Sequence, residues 1–264
     1  GAGDLNYVGK PAQRPDAVAK AIGTAKFTAD LHFDGMLYAR VLRAGVPSAI
    51  LRGLDLSAAQ AVPGVVRILT AADLKHERLH GVYQKDWPIL IGLNQRVRYQ
   101  GDAIAIVAAQ TQAAADEAVS LIQPEYEPRP VIADPLQALA PDAERLHEHG
   151  NLLKHIHVAK GDVKKGFAEA DAIVEHSFKT PFMEHLFMEP ECSLAVPRED
   201  GGMDLYVGSQ IPFDDRRQVA AALGLPLEMV RVRGQKTGGA FGGKEDIAGQ
   251  IHAALLAQAT GKPV

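Results

Sequence analysis

Ala103-Ile-Ala-Ile-Val-Ala108 is an unbroken apolar run between the turn Gly101-Asp102 and a helical pattern that follows Thr111. The run has the length of a strand rather than a helix. It also lacks the polar alternation of a strand with one wet face, so it predicts a strand covered on both sides. Thr111 is a good helix cap, and Ala115, Ala118, Val119 and Ile122 then fall on one helical stripe that packs on a sheet. The surrounding sequence supplies neighbours. Ala39–Arg43 alternates as a half-buried strand does, Ser57 can cap a short helix that Pro63-Gly64 ends, Val65–Leu69 reads as a strand, and Thr70 caps a turn over Ala71–Leu74. No catalytic signal appears here, and the region reads as scaffold.

Beyond it, residues 124–150 are rich in proline and acid (Pro124, Pro128, Pro130, Pro135 and Pro141 among Glu125, Glu127, Asp134, Asp142, Glu144 and Glu148), the composition of an extended linker. A second region starts near Asn151. Strands are expected at Leu152–Val158, Ala172–Phe178, Cys192–Val196 and Met203–Val207, and a helix at Asp214–Leu223 that stops at Gly224-Leu-Pro226. Met229–Arg233 is the next strand, and a closing helix carries Ile247, Ile251 and Leu255. The chain is thus of mixed α+β class. Thr260-Gly-Lys-Pro-Val264 reads as a helix stop leading into a further strand, so a fragment or split subunit is expected.

Composition excludes several functions. Net charge of −4 and a pI near 6.2 argue against nucleic-acid or anionic-membrane partners. Cys192 is the one cysteine, which removes a disulfide framework, a cysteine zinc site and an iron–sulfur cluster held by this sequence alone, and fits a cytoplasmic setting. Gly1–Tyr7 has neither a basic nor an apolar leader region.

The chemistry concentrates in Thr237-Gly-Gly-Ala-Phe-Gly-Gly-Lys-Glu-Asp246. Clustered glycines let backbone N–H groups approach a ligand, and a helix start just behind them favours an anion. Gly238 to Lys244 fills the first seven positions of the phosphate-loop motif, but Glu245 stands where a hydroxyl should hold magnesium. A tight strand–helix turn without ligand is the other local reading.

This loop is similar to the GGGFGGKE signature of the molybdenum hydroxylases, the xanthine dehydrogenase and aldehyde oxidase family. The resemblance continues through Val8–Pro11, Arg14–Asp16, Gly23–Asp30, Gly35–Arg43, Val97–Val107, Tyr126–Pro128, Gly161–Val163 with Phe167, Leu223–Pro226 and Val230–Val232, in order and over nearly the whole chain. It implies an α/β hammerhead domain over residues 1–130, a linker over 131–150, and the first part of a molybdopterin-binding domain over 151–264.

The resemblance also implies a function: hydroxylation of an N-heterocycle such as a purine, with water as the oxygen source, as part of a cytoplasmic enzyme. The cofactor is molybdenum-molybdopterin, with the cytosine dinucleotide form as one option. Gly239, Ala240, Phe241 and Gly242 would bind it, with the Phe241 backbone near the metal, and Glu245 would orient the substrate. Iron–sulfur and FAD groups would lie on partner subunits or domains, along with the rest of the molybdenum subunit and its catalytic glutamate. Residues 1–264 alone would then be inactive, and a non-catalytic assembly module of the same complex is the alternative.

Met183-Glu-His-Leu-Phe-Met-Glu189 resembles a second family segment, with Met183 in place of a glutamine whose amide a thioether cannot imitate. His185 and Glu189 there read equally as a buried polar pair supporting the loop. His147, His149, His155 and His157 lack metal-ligand spacing and read as surface or strand residues.

Overall fold

The computed structural model describes residues 5–247 and 249–264. Residues 1–4, part of the segment read for a leader, lie outside the described residues. In chain order the strands are β1 Tyr38–Arg43, β2 Ala49–Asp55, β3 Val65–Thr70, β4 Leu79–His80, β5 Trp87–Pro88, β6 Arg96–Val97, β7 Ala103–Ala109, β8 Gln123–Pro128, β9 Ser193–Pro197, β10 Met203–Val207 and β11 Val230–Gly234. The helices are α1 Ala17–Ala21, α2 Ser57–Gln60, α3 Gln112–Leu121, α4 Pro135–Ala138, α5 Val163–Glu169, α6 Pro212–Leu223 and α7 Gln250–Thr260.

The apolar run is β7, central in the antiparallel sheet β1-β7-β3 and buried along its whole length. Alternate residues leave its two faces. Ala105, Val107 and Ala109 pack with Ala114, Ala115 and Ala118 of α3, whose Thr111 hydroxyl accepts the Ala114 N–H at 3.1 Å. Ile106 and Ala108 enter a second cluster with Leu205 of β10, Val230 of β11 and Ile251, Ala254 and Leu255 of α7. A third cluster joins Leu51, Ile91, Val97 and Ile104. One strand therefore organises cores from both halves of the sequence.

Where the turn was read, Asp102 is buried and accepts from the Arg98 N–H at 2.7 Å and Trp87 Nε1 at 3.1 Å. Ser57 is not the cap of α2: Leu56 holds that position, and the Asp55 carboxylate takes the Ser57 N–H at 2.8 Å. The aspartate accepts the amide two residues on, an Asx turn that starts the helix one residue earlier than a serine cap would. The proline-rich stretch is not all linker either. Gln123–Pro128 is β8, an edge strand on β2, where the missing amides of Pro124 and Pro128 break no inner ladder.

Residues 130–186 form a separate compact unit. Asp134 caps α4 and Asp162 caps α5, and the Asn151 amide ties Leu146, Ala138 and Glu144 together at 2.8, 2.9 and 3.0 Å. The strands expected at Leu152–Val158 and Ala172–Phe178 are absent: neither segment has a ladder partner among the described residues, and Val158, Val174 and Phe178 are almost fully exposed. Their composition favours a pleated surface, but a strand needs a neighbour to pair with.

The remaining residues, 187–264, belong to the same unit as residues 1–129. Here β10 runs antiparallel to β9 and parallel to β11, and α6 makes the crossover. Gly224 ends α6 in the left-handed conformation (φ 67°), as expected of a C-terminal glycine. Val264 exchanges two 2.9 Å backbone hydrogen bonds with Ala195 of β9.

Candidate functional site

Parallel strands joined by a crossover helix bring their C-terminal ends, and the loops that follow, side by side. Val207 at the end of β10 is level with Gly234 at the end of β11, and the Gln235 N–H donates to the Val207 carbonyl at 2.9 Å. Gly208-Ser209-Gln210 therefore emerges next to the glycine loop. Ser209 Oγ accepts the Ile211 N–H at 2.9 Å, and Pro212 opens α6.

Two side-chain clamps, one carboxylate and one amide, shape the loop. Below it, Glu189 Oε2 accepts the Gly238 N–H at 2.7 Å and Lys244 Nζ at 2.8 Å, and the Glu189 N–H returns to the Gly238 carbonyl at 3.3 Å. Lys244 is only 3% exposed and lies 4.7 Å from the Phe187 ring centre. A side chain on Gly238 would place its Cβ 2.7 Å from the Glu189 Cβ, so the closeness of this clamp requires glycine. On the other side, Gln210 Oε1 accepts the Gly242 N–H at 3.1 Å while Gln210 Nε2 donates to Glu245 Oε1 at 3.3 Å. The Gln210 N–H also reaches the Lys244 carbonyl at 3.0 Å.

Between the clamps the chain turns on the Gly243 N–H to Ala240 carbonyl bond at 2.8 Å. Phe241 occupies the left-handed region at φ 53° and is 75% exposed. An aromatic side chain there is unfavourable both in backbone conformation and in hydration, a combination found where a function holds it. The amides of Gly239, Ala240 and Phe241 meet no acceptor among the described residues. A group rich in oxo and phosphate oxygens fits such an edge, since it needs donors close to backbone level and no side chain in the way.

The sequence-predicted residues Gly239, Ala240, Phe241, Gly242 and Glu245 thus lie on one turn. Two expectations are corrected. The helix does not start directly behind the glycines but at Gln250, because Lys244 turns inward to Glu189 and Gly242 and Gly243 favour the turn. Among the described residues α7 therefore does not follow directly on the glycines, and Lys244 is engaged by Glu189, which removes the two cationic elements that the phosphate-loop reading needs. Nor are His185 and Glu189 a buried pair. Glu189 braces the loop, whereas His185 and Met183 are exposed in the unit of residues 130–186.

Sequence reasoning missed Gln210. Its only trace was its position, between a strand and a proline-opened helix, at the carboxyl edge of a βαβ crossover.

Two buried ionisable groups stand behind the site. Burial pushes Asp215 up to about 6 against hydrogen bonds from Ser209 and Gln250. Burial pushes His252 down to about 4, although its ring lies 2.9 Å from the Ile89 carbonyl. Desolvation also raises the Cys192 thiol, with the Glu189 charge adding to it, so this cysteine is a poor nucleophile.

Residues 22–130 match the family described as "Aldehyde oxidase and xanthine dehydrogenase, a/b hammerhead domain", and residues 146–264 match "Molybdopterin cofactor-binding domain". The chain belongs to the molybdenum hydroxylase family. Among its relatives in that family, a probable xanthine dehydrogenase subunit from Bacillus subtilis is 41% identical over 97% of this chain and 34% of its own length. The nicotinate dehydrogenase large molybdopterin subunit of Eubacterium barkeri is 40% identical over 99% of this chain and 61% of its own length. The crystal structure of the aldehyde oxidoreductase of Desulfovibrio gigas superimposes with a TM-score of 0.84 at 29% identity, over 95% of this chain and 29% of that one. The chain thus spans between about a third and three fifths of these curated hydroxylase relatives.

Proposed function

We propose that this chain supplies one wall of the cofactor and substrate site of a molybdenum hydroxylase that oxidises an N-heterocycle. The observation that carries the reading is the turn 239–245, which presents open amides, a left-handed exposed Phe241 and an exposed carboxylate, Glu245, on one edge. In this reading the amides of Gly239, Ala240 and Phe241, with Gly242, hold molybdenum-molybdopterin, in plain or cytosine dinucleotide form. The bound cofactor supplies two-electron oxidation of a ring carbon, with water as the oxygen source.

The residues of this chain do the rest. The Phe241 ring would border the bound cofactor and exclude water there, and Glu245 would accept from a ring N–H and orient the heterocycle. Residues 1–130 are the hammerhead, 131–150 the linker and 151–264 the cofactor-binding part. The general base, the iron–sulfur groups and the FAD lie on the remainder of the molybdenum subunit and on partner subunits, and residues 1–264 alone are inactive. The setting is cytoplasmic, and the partners include neither nucleic acid nor membrane. No described helix is long and apolar enough to cross a membrane.

Metal and pterin analysis of the complete complex tests the cofactor. Equimolar molybdenum supports the reading, and none overturns it. Glu245→Ala in that complex should lower kcat/KM for a purine by about 100-fold or more. Unchanged activity would take Glu245 out of the site.

A further inference from the structure

We infer that a cavity behind the glycine loop is a second binding site, for a small planar heterocycle that carries a ring N–H. The cavity measures about 370 Å³. Gly243 and Asp246 line it together with residues of the hammerhead region, so it backs on to the loop. Glu245 and Phe241 do not line it, and the site is separate from the one proposed above.

Two buried imidazoles, His80 and His252, form the floor. His252 Nε2 lies 2.9 Å from the Ile89 carbonyl, which can only accept, so that nitrogen carries the proton. Burial pushes this ring down to about 4, and at neutral pH its Nδ1 is a bare acceptor. It meets no partner among the described residues. Burial lowers His80 as well, against the pull of the Asp246 charge, and its buried Nδ1 is likewise unmatched. No hydrogen bond among the described residues fixes the His80 tautomer, so this atom can answer a donor or an acceptor. A buried polar atom left unmatched costs about 1–3 kcal/mol. Two of them on one cavity floor call for a guest that supplies what they lack.

The walls select the rest. His80 stacks on Trp87 with ring centres 5.1 Å apart, and Tyr99 meets Trp87 edge-on at 5.5 Å. The Trp87 N–H donates to Asp102 at 3.1 Å, which fixes the plane of that ring. Flat, held aromatic walls favour a flat guest. Asp246 and Glu191 set two carboxylates against the guanidinium of Arg43, which is tied to the Gly101 carbonyl at 3.0 Å. An anion is therefore disfavoured, and a guest without a donor leaves His252 unmatched. An azole or purine edge, with a ring N–H and a bare ring nitrogen, has one group for each imidazole.

Calorimetric titration of benzimidazole into the complete complex at neutral pH tests the site. A Kd of about 1 mM or below is expected for a guest of this size, and N-methylbenzimidazole, which lacks the donor, should bind about tenfold more weakly. His252→Gln keeps an amide donor for the Ile89 carbonyl but removes Nδ1. It should weaken benzimidazole about tenfold and leave the N-methyl compound as it was. His80→Phe keeps a ring against Trp87 and should weaken benzimidazole by a similar factor. Glu245→Ala should leave the Kd unchanged.

Equal affinity for the two ligands in wild type would overturn the inference, as would a Kd indifferent to both histidine changes or one that follows Glu245. Equal weakening of both ligands in His252→Gln would also overturn it, as the mark of a collapsed cavity rather than a lost acceptor.

Discussion

Lys244 carries its charge where almost no water can reach it, and its partner Glu189 also holds the Gly238 amide. Removing one partner of such a pair leaves the other buried and uncompensated, so Lys244→Met should destabilise the fold by about 3–5 kcal/mol in urea titrations. A loss under ~1 kcal/mol would mean that the pair is solvated. Asp215 and His252 make a second prediction, on pH. The histidine, lowered from 6.5 to about 4, adds stability as pH rises through that interval, and the aspartate, raised from 3.8 to about 6, removes it over nearly the same range. The two slopes oppose each other. Relative to wild type, Asp215→Asn should therefore gain stability from pH 4 to 6.5, by up to about 3 kcal/mol, and His252→Gln should lose it. Parallel stability–pH curves for all three proteins would contradict both assignments. At this scale the sequence revealed the loop residues through their type: glycines, an aromatic and an acid in a recognisable order. Glu189 was legible as loop support through its own segment, but Gln210 was harder to see because it does not differ from an ordinary surface residue until the crossover brings it to the loop.

Among elements, β7 and α3 were legible because local chemistry and tertiary environment agree: an all-apolar strand, a threonine cap and an alanine stripe all meet the partners they imply. Thr111→Ala should cost about 1 kcal/mol, the usual value for a lost cap, and Ile106→Ala about 2–5 kcal/mol as a buried large-to-small change. Chemical denaturation checks both, and a reversed order would argue that β7 is not the centre of the core. Segments 152–158 and 172–178 misled for the opposite reason. Alternation in sequence states which face of a strand would be apolar but cannot supply the strand that pairs with it, and no described residue does so.

In the whole molecule, Ile106 and Ala108 share one cluster with Leu205, Val230 and α7, so the hammerhead region and the loop-bearing region bury each other's apolar surface. Residues 1–130 expressed alone should lose this cover and show a broad, low-temperature transition with dye binding to exposed apolar surface. A sharp two-state melt would show that β7 needs only α3. The same arrangement sets a schedule for synthesis. At about 5–20 residues per second, β7 leaves the ribosome on the order of ten seconds before α7 can reach it. For that interval a finished sheet carries an uncovered apolar face, the stage of synthesis at which such a chain is most exposed to aggregation.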